Sequence, residues 1–279
     1  MEANPVTQRF RGPSAVGDDL RRFFALTYTL AATDFKLRFF GSALGYVWTL
    51  MRPLLFFGVL YVVFTEVVKF GAGIPHYPVY LLTSIIMFTY FSETTSRGVT
   101  SLVERENLLR KMRFPRMVIP LAVALHSLFN LGLNLIVVFV FILVSGIAPR
   151  IEWLALFPLV VLLATFATGV TMLLSALYVR YRDVEPIWEV GLQMLFYASP
   201  ILYVASKYPD SVENLAMANP IAAIVTEARH VLIDPSAPTA AETIGGTVWL
   251  LVPLAVIALV AALGFWVFTR EAPRIAEEL

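Results

Sequence analysis

Long apolar runs dominate the chain, and their spacing predicts an all-helical fold. Mostly apolar stretches fall at roughly 43–68, 79–98, 118–144, 153–178, 187–204 and 248–268. At about 1.5 Å per residue each is long enough to cross about 30 Å of hydrocarbon, the shortest only just. Two further segments have helical spacing but are too short to cross. Residues 18–38 repeat Leu20, Phe23, Phe24, Thr27, Ala31 and Phe35 three and four positions apart, with Arg21, Arg22, Asp34, Lys36 and Arg38 mostly elsewhere. That pattern predicts an amphipathic helix in the membrane interface, either a plain anchor or a lever under a transport path. Residues 211–233 hold two short apolar stretches, 212–218 and 221–233, separated by Asn219-Pro220. A good N-cap followed by a good first helical residue predicts a new helix there. Two half-helices that dip into the outer leaflet and return fit this pattern, and an external loop with two surface helices is the alternative. The expected fold is an all-α integral membrane protein with six transmembrane helices, the interface helix, and re-entrant helices between spans five and six.

Composition sharpens this reading. Apolar residues make up 58% of the 279, only 15% are charged, and mean hydropathy is +0.76. A soluble domain carries about 25% charged residues, so two soluble domains drawn from this chain would lack surface charge. A net charge of +1, with no long Lys/Arg-rich stretch, argues against nucleic acid. The absence of cysteine excludes disulfides, thiol catalysis and Cys-ligated metals. Some 42 residues precede the first long apolar run, which is too long for a signal peptide, so that first helix is expected to be retained. Of the 21 Lys and Arg, 16 fall in the terminal segments and loops that face inward if the N-terminus is inside, and 4 in the outward ones. This asymmetry predicts cytoplasmic termini. The remaining one, Arg52, lies inside the first span.

Charge and chemistry then single out particular residues. The loop at 102–115 is rich in helix formers, and Pro115 ends it. It predicts a short cytosolic helix whose Leu108, Leu109 and Met112 are exposed beside charges, as a docking element for another protein. Glu66, Glu93, Asp183, Glu185 and Glu189 all fall near predicted span ends, so no carboxylate pair lies deep in a span. His76, His126 and His230 are scattered, and the sequence has no HExxH, GxSxG or DxD arrangement, which weighs against an intramembrane enzyme. Arg52 is the one charged group predicted well inside a span. It either snorkels toward the inner interface or faces inward to meet an anionic substrate. No phosphate-cradling GxxxxGK[ST] loop is present, so any ATPase is expected on a separate polypeptide.

Several of these segments resemble, in order, the ABC type-2 transporter permease family, most of all its polysaccharide-export branch for O-antigen, capsule, teichoic acid or cell-wall galactan. The likeness is carried by Asp34-Phe-Lys-Leu-Arg-Phe-Phe-Gly-Ser42, Leu44-Gly-Tyr-Val-Trp48 and Pro53-Leu-Leu55. It continues in Asn107-Leu-Leu-Arg-Lys111 with Phe114-Pro115 and Pro120, Tyr181-Arg-Asp183, Ser199-Pro-Ile-Leu-Tyr203 and Asn219-Pro220. Phe39, where the family commonly has Tyr, and Arg52 before Pro53 are departures from it. The resemblance implies a single permease domain over 1–279, with the six-span bundle at 43–268, that pairs with a second copy of itself and two copies of an ATPase carrying ATP and Mg. It implies no cofactor on this chain and no catalysis by it. Glu104, Arg105, Asn107, Leu108, Leu109, Arg110, Lys111, Phe114 and Pro115 are the expected ATPase-coupling residues. Arg38 and Arg52 are candidates for a lipid pyrophosphate. Tyr61, Phe64, Phe88, Tyr90, Tyr197 and Tyr203 are candidate channel aromatics, against a reading of each as belt or packing residue. A type-2 exporter of a drug or free lipid, and a membrane scaffold without transport activity, are the alternatives.

Overall fold

A computed structural model of the chain describes residues 20–39, 45–69, 71, 73–111 and 115–272. Every regular element among them is helical: α1 Leu20–Phe39, α2 Tyr46–Val62, α3 Tyr77–Glu104, α4 Glu106–Lys111, α5 Val118–Val144, α6 Leu156–Arg180, α7 Val184–Ala198, α8 Asp210–Met217, α9 Pro220–Leu232, α10 Ala240–Thr243 and α11 Leu251–Glu271. A π turn, Val63–Val67, extends α2. Four helical stretches among the described residues are long and apolar enough to cross a membrane: Val47–Val67, Val118–Val144, Ile151–Arg180 and Thr247–Glu271.

The central helix is α3, which packs on α2, α5, α6, α7 and α9. It is longer than the expected 79–98, and its buried side chains include Thr83, Ser84, Thr94, Thr95 and Ser101. Their hydroxyls bond to the helix's own carbonyls, which lets them sit inside at little cost. The fifth apolar run does not form one helix over 187–204. Instead α7 ends at Ala198, because Pro200 pushes Ser199 into extended backbone at φ −99° and ψ 148°. At 15 residues it is about 22 Å long.

The segment that follows α7 is pinned from two sides. Tyr77 Oη donates to the Leu202 carbonyl at 2.7 Å, and Tyr80 Oη bonds to the Pro200 carbonyl. Asn219 Nδ2 donates to Ser199 Oγ at 2.8 Å, while its Oδ1 accepts from the Ile221 amide at 3.0 Å and caps α9. The expected helix start at Asn219-Pro220 is therefore present. Ten of the thirteen α9 residues are buried, against α3, α6 and α11 among others. Asn219→Ala is expected to lose both the cap and the Ser199 bond, about 1–3 kcal/mol together, read as a lower melting temperature in detergent. Just past α9, burial opposes ionisation of Asp234, but bonds from Ser236 and the nearby Arg229 guanidinium hold its carboxyl below the usual range.

At the opposite end of α3, the expected 102–115 helix is two pieces. The central helix continues through Glu104, breaks at Arg105 and restarts as the six-residue α4. Leu109 is not exposed as expected. It is buried in a cluster with Phe23, Leu102, Met117, Val179 and Phe268, and Leu108 packs against that cluster. The apolar side of a short helix next to a bundle is covered by the bundle first. The stripe on α1 also divides: Phe23, Thr27 and Ala31 are buried, and Leu20 and Phe24 stay exposed. This helix packs along α5, and an ion pair from its Asp34 reaches Arg105, at the break between α3 and α4.

Candidate functional site

A cavity of about 880 Å³ lies between α2, α3 and α7, with Arg38 of α1 and Asn134 of α5 in its wall. Helical periodicity builds each wall. On α2, Trp48, Thr49, Arg52, Pro53 and Phe56 recur at three- and four-residue spacing. On α3 the same spacing gives a polar stripe, Thr89, Ser92, Glu93, Ser96 and Arg97. On α7 it gives Leu192, Gln193, Phe196 and Tyr197. The α3 wall is mostly polar, and aromatic rings stand in the α2 and α7 walls.

A network of charged and polar groups forms one side. Arg38 Nη1 donates to Glu93 Oε1 at 2.5 Å, and Arg97 Nε lies 3.6 Å from the same oxygen. Behind them is His126 of α5, 2% exposed. Its Nε2 is 2.9 Å from Arg97 Nη1 and 3.4 Å from Arg38 Nη1. A guanidinium can only donate, so Nε2 must accept, and the ring proton sits on Nδ1. His126 thus orients the two arginines without cancelling their charge. Phe35 meets the same ring edge-on at 5.8 Å. A second cavity of about 530 Å³ lies on the far side of this network, and Arg38, Ser96 and Arg97 line both cavities.

Sequence reasoning placed Arg38 and Arg52 on an anionic group, and the structure brings both to one cavity. Arg52 is exposed, and it takes part in none of the ion pairs among the described residues. Of the six candidate aromatics, Phe88 and Tyr197 line this cavity. Phe88 is buried against Phe196, with ring centroids 5.1 Å apart. The others lie elsewhere: Tyr61 stacks on Phe57, Phe64 packs on the core, Tyr90 is buried, and Tyr203 bonds to the Tyr197 carbonyl at 2.7 Å. Among the coupling candidates, Glu104 and Asn107 are exposed, Glu104 accepts from Thr100 at 2.7 Å, and Arg105 and Pro115 are half-buried. The side chains of Arg110 and Lys111, and Met112 and Phe114 entirely, lie outside the described residues.

Sequence reasoning missed Glu93, Arg97 and His126. Glu93 was expected near a helix end, but α3 runs eleven residues past it. The polar stripe from Thr89 to Arg97 was the available signal. Trp48, Phe56 and Phe196 were also missed, because facing a cavity depends on how three helices lean together.

The ABC-2 type transporter family profile matches residues 25–233, which hold every group in this network and both cavities. The chain belongs to that family. Two curated relatives cover most of its length. The O-antigen export system permease protein RfbA of Klebsiella pneumoniae is 29% identical over 217 residues, 77% of this chain and 83% of the relative. The protein of the same name from Myxococcus xanthus is 32% identical over 226 residues, 80% of this chain and 85% of the relative. As an ABC-2 type transporter, the chain is a multi-pass membrane subunit.

Proposed function

We propose that this chain is the membrane subunit of an ATP-driven exporter that moves a lipid-linked polysaccharide from the cytoplasmic to the outer side of a bacterial inner membrane. The observation that carries the proposal is the cavity itself. Three guanidiniums, Arg38, Arg52 and Arg97, share it with Trp48, Phe56 and Tyr197. Guanidiniums take phosphate oxygens as bidentate forks, and aromatic faces stack on sugar rings, so a pyrophosphate-linked glycan matches both halves of the lining. Relatives named as O-antigen export permeases support the same cargo class.

The proposal carries a topology and an assembly. The chain crosses six times with both termini in the cytoplasm, α3 and α7 joining the four apolar spans. The polar residues of α3 are buried by its neighbours, which supports a span that composition alone ranks low. In the interface, α1 acts as a lever, while α8 and α9 form the re-entrant pair. The burial of α9 supports this, since helix ends at that depth need protein around them. A second copy completes the path. An exposed Arg52 turned to lipid would be costly, so the open side of the cavity faces a partner copy or water. Two copies of an ATPase subunit, holding ATP and Mg, dock at 102–115, with the exposed Glu104 and Asn107 and their sequence neighbours Arg110, Lys111 and Phe114 as the coupling residues. Leu109 anchors that element in the bundle and Arg105 ties it to Asp34, so a push there also moves α1.

Reconstitution tests this directly. Vesicles carrying the permease and its ATPase are expected to move lipid-linked glycan across the bilayer only with ATP, read as new accessibility to a membrane-impermeant glycosidase. Accessibility that does not change with ATP would rule the proposal out. Transport of a drug or free lipid by the same vesicles would replace the cargo and keep the fold.

A further inference from the structure

The wall of the cavity holds three guanidiniums and one carboxylate, Glu93. We propose that Glu93 is a resident counter-anion: it competes with an incoming phosphoryl headgroup for Arg38 and keeps headgroup affinity low enough for release. The inference rests on the exporter reading above and names the residue that sets its affinity.

Geometry singles out this carboxylate. Its Oε1 is 2.5 Å from Arg38 Nη1 and 3.6 Å from Arg97 Nε, in contact with two of the three cations. Its side chain is 20% exposed and lines the cavity. His126 holds the same two arginines, but a neutral ring supplies position and no charge. With one carboxylate against three guanidiniums, the lining keeps a surplus of two positive charges, which suits a dianionic phosphate or pyrophosphate. Two cations already engaged by Glu93 bind that anion less tightly than free ones would, because each new phosphate contact must displace or share a carboxylate contact. A path that held its headgroup with all three cations free would bind well and release slowly. Glu93 trades affinity for turnover.

The test uses the whole permease in lipid nanodiscs, with inorganic pyrophosphate and farnesyl pyrophosphate as calorimetric probes. Glu93→Gln is expected to bind both about tenfold more tightly than the wild type. Glu93→Asp keeps the charge, shortens the arm and protects folding, and is expected to gain about two- to threefold on the same scale. With the ATPase present, Glu93→Gln should lower both KM and kcat for transport, a split that loss of structure alone does not produce. If the wild type binds the probes and the variants that fold bind equally or more weakly, the counter-anion role is overturned while the exporter reading stands. If the wild type binds neither probe and Arg52→Gln changes nothing, both fall together.

Discussion

Replacing Gly264 with leucine is expected to remove most of the correctly folded protein. The contact between α6 and α11 is the most extensive between any two helices among the described residues. It closes through Gly169 and Gly264. A side chain on Gly264 would run into the Gly169 carbonyl, and one on Gly169 would sit 2.7 Å from Ala261 Cα and 2.9 Å from its amide nitrogen. These obstacles are backbone atoms, so no rotamer change makes room and the helices must separate. Close approach through small residues is how membrane helices gain packing energy where lipid supplies no hydrophobic drive. Overpacking costs about 1–3 kcal/mol, and a crossing that cannot relax lies at the upper end. Little else holds α11, whose buried residues are Pro253, Ile257, Gly264 and Phe268. Gly264→Leu should therefore lower the apparent melting temperature by on the order of 10 °C, and size exclusion should show loss of the monodisperse peak. Leu263→Ala, one residue away and exposed, should do neither. A Gly264→Leu protein as stable as the wild type would mean the helices do not cross there.

The second large effect is expected on transport with folding intact. Arg52→Gln removes a cavity cation that makes no ion pair among the described residues, so it disrupts no internal contact of that kind. A charge-assisted hydrogen bond to phosphate contributes about 1.5–3 kcal/mol, so export should fall about ten- to a hundredfold while melting temperature stays put. Arg52→Glu should be worse, because it reverses the charge offered to an anion. Arg52→Lys should restore part of the activity, keeping the charge but losing the fork. Equal export by Arg52→Gln and the wild type would show that Arg52 only snorkels toward the interface.

Parts of this picture were legible in the residues and parts were not, for reasons that differ by element. The helix at 118–144 runs between the same residues in pattern and structure, because a long, mostly apolar run bounded by Pro115 and Ser145-Gly146 leaves little choice. Asn219-Pro220 marked a helix start because capping is local chemistry between neighbours. The end of α7 was overshot by six residues, although Pro200 gave the local signal. Leu109 was misjudged for another reason: a leucine beside charges looks exposed until one knows that Phe23 and Phe268 converge on it. The anionic site was half legible. Arg38 and Arg52 stood out by charge, whereas the Glu93–Arg97–His126 network depends on α1, α3 and α5 meeting side by side.

The most direct measurement of the central claim is the sidedness of lipid-linked glycan in cells depleted of this chain. The account predicts that the glycan accumulates on the cytoplasmic face and disappears from the surface, and that re-expressing the wild type, but not Arg52→Glu, restores it. Surface glycan that persists at its normal level in depleted cells with no second exporter would contradict it.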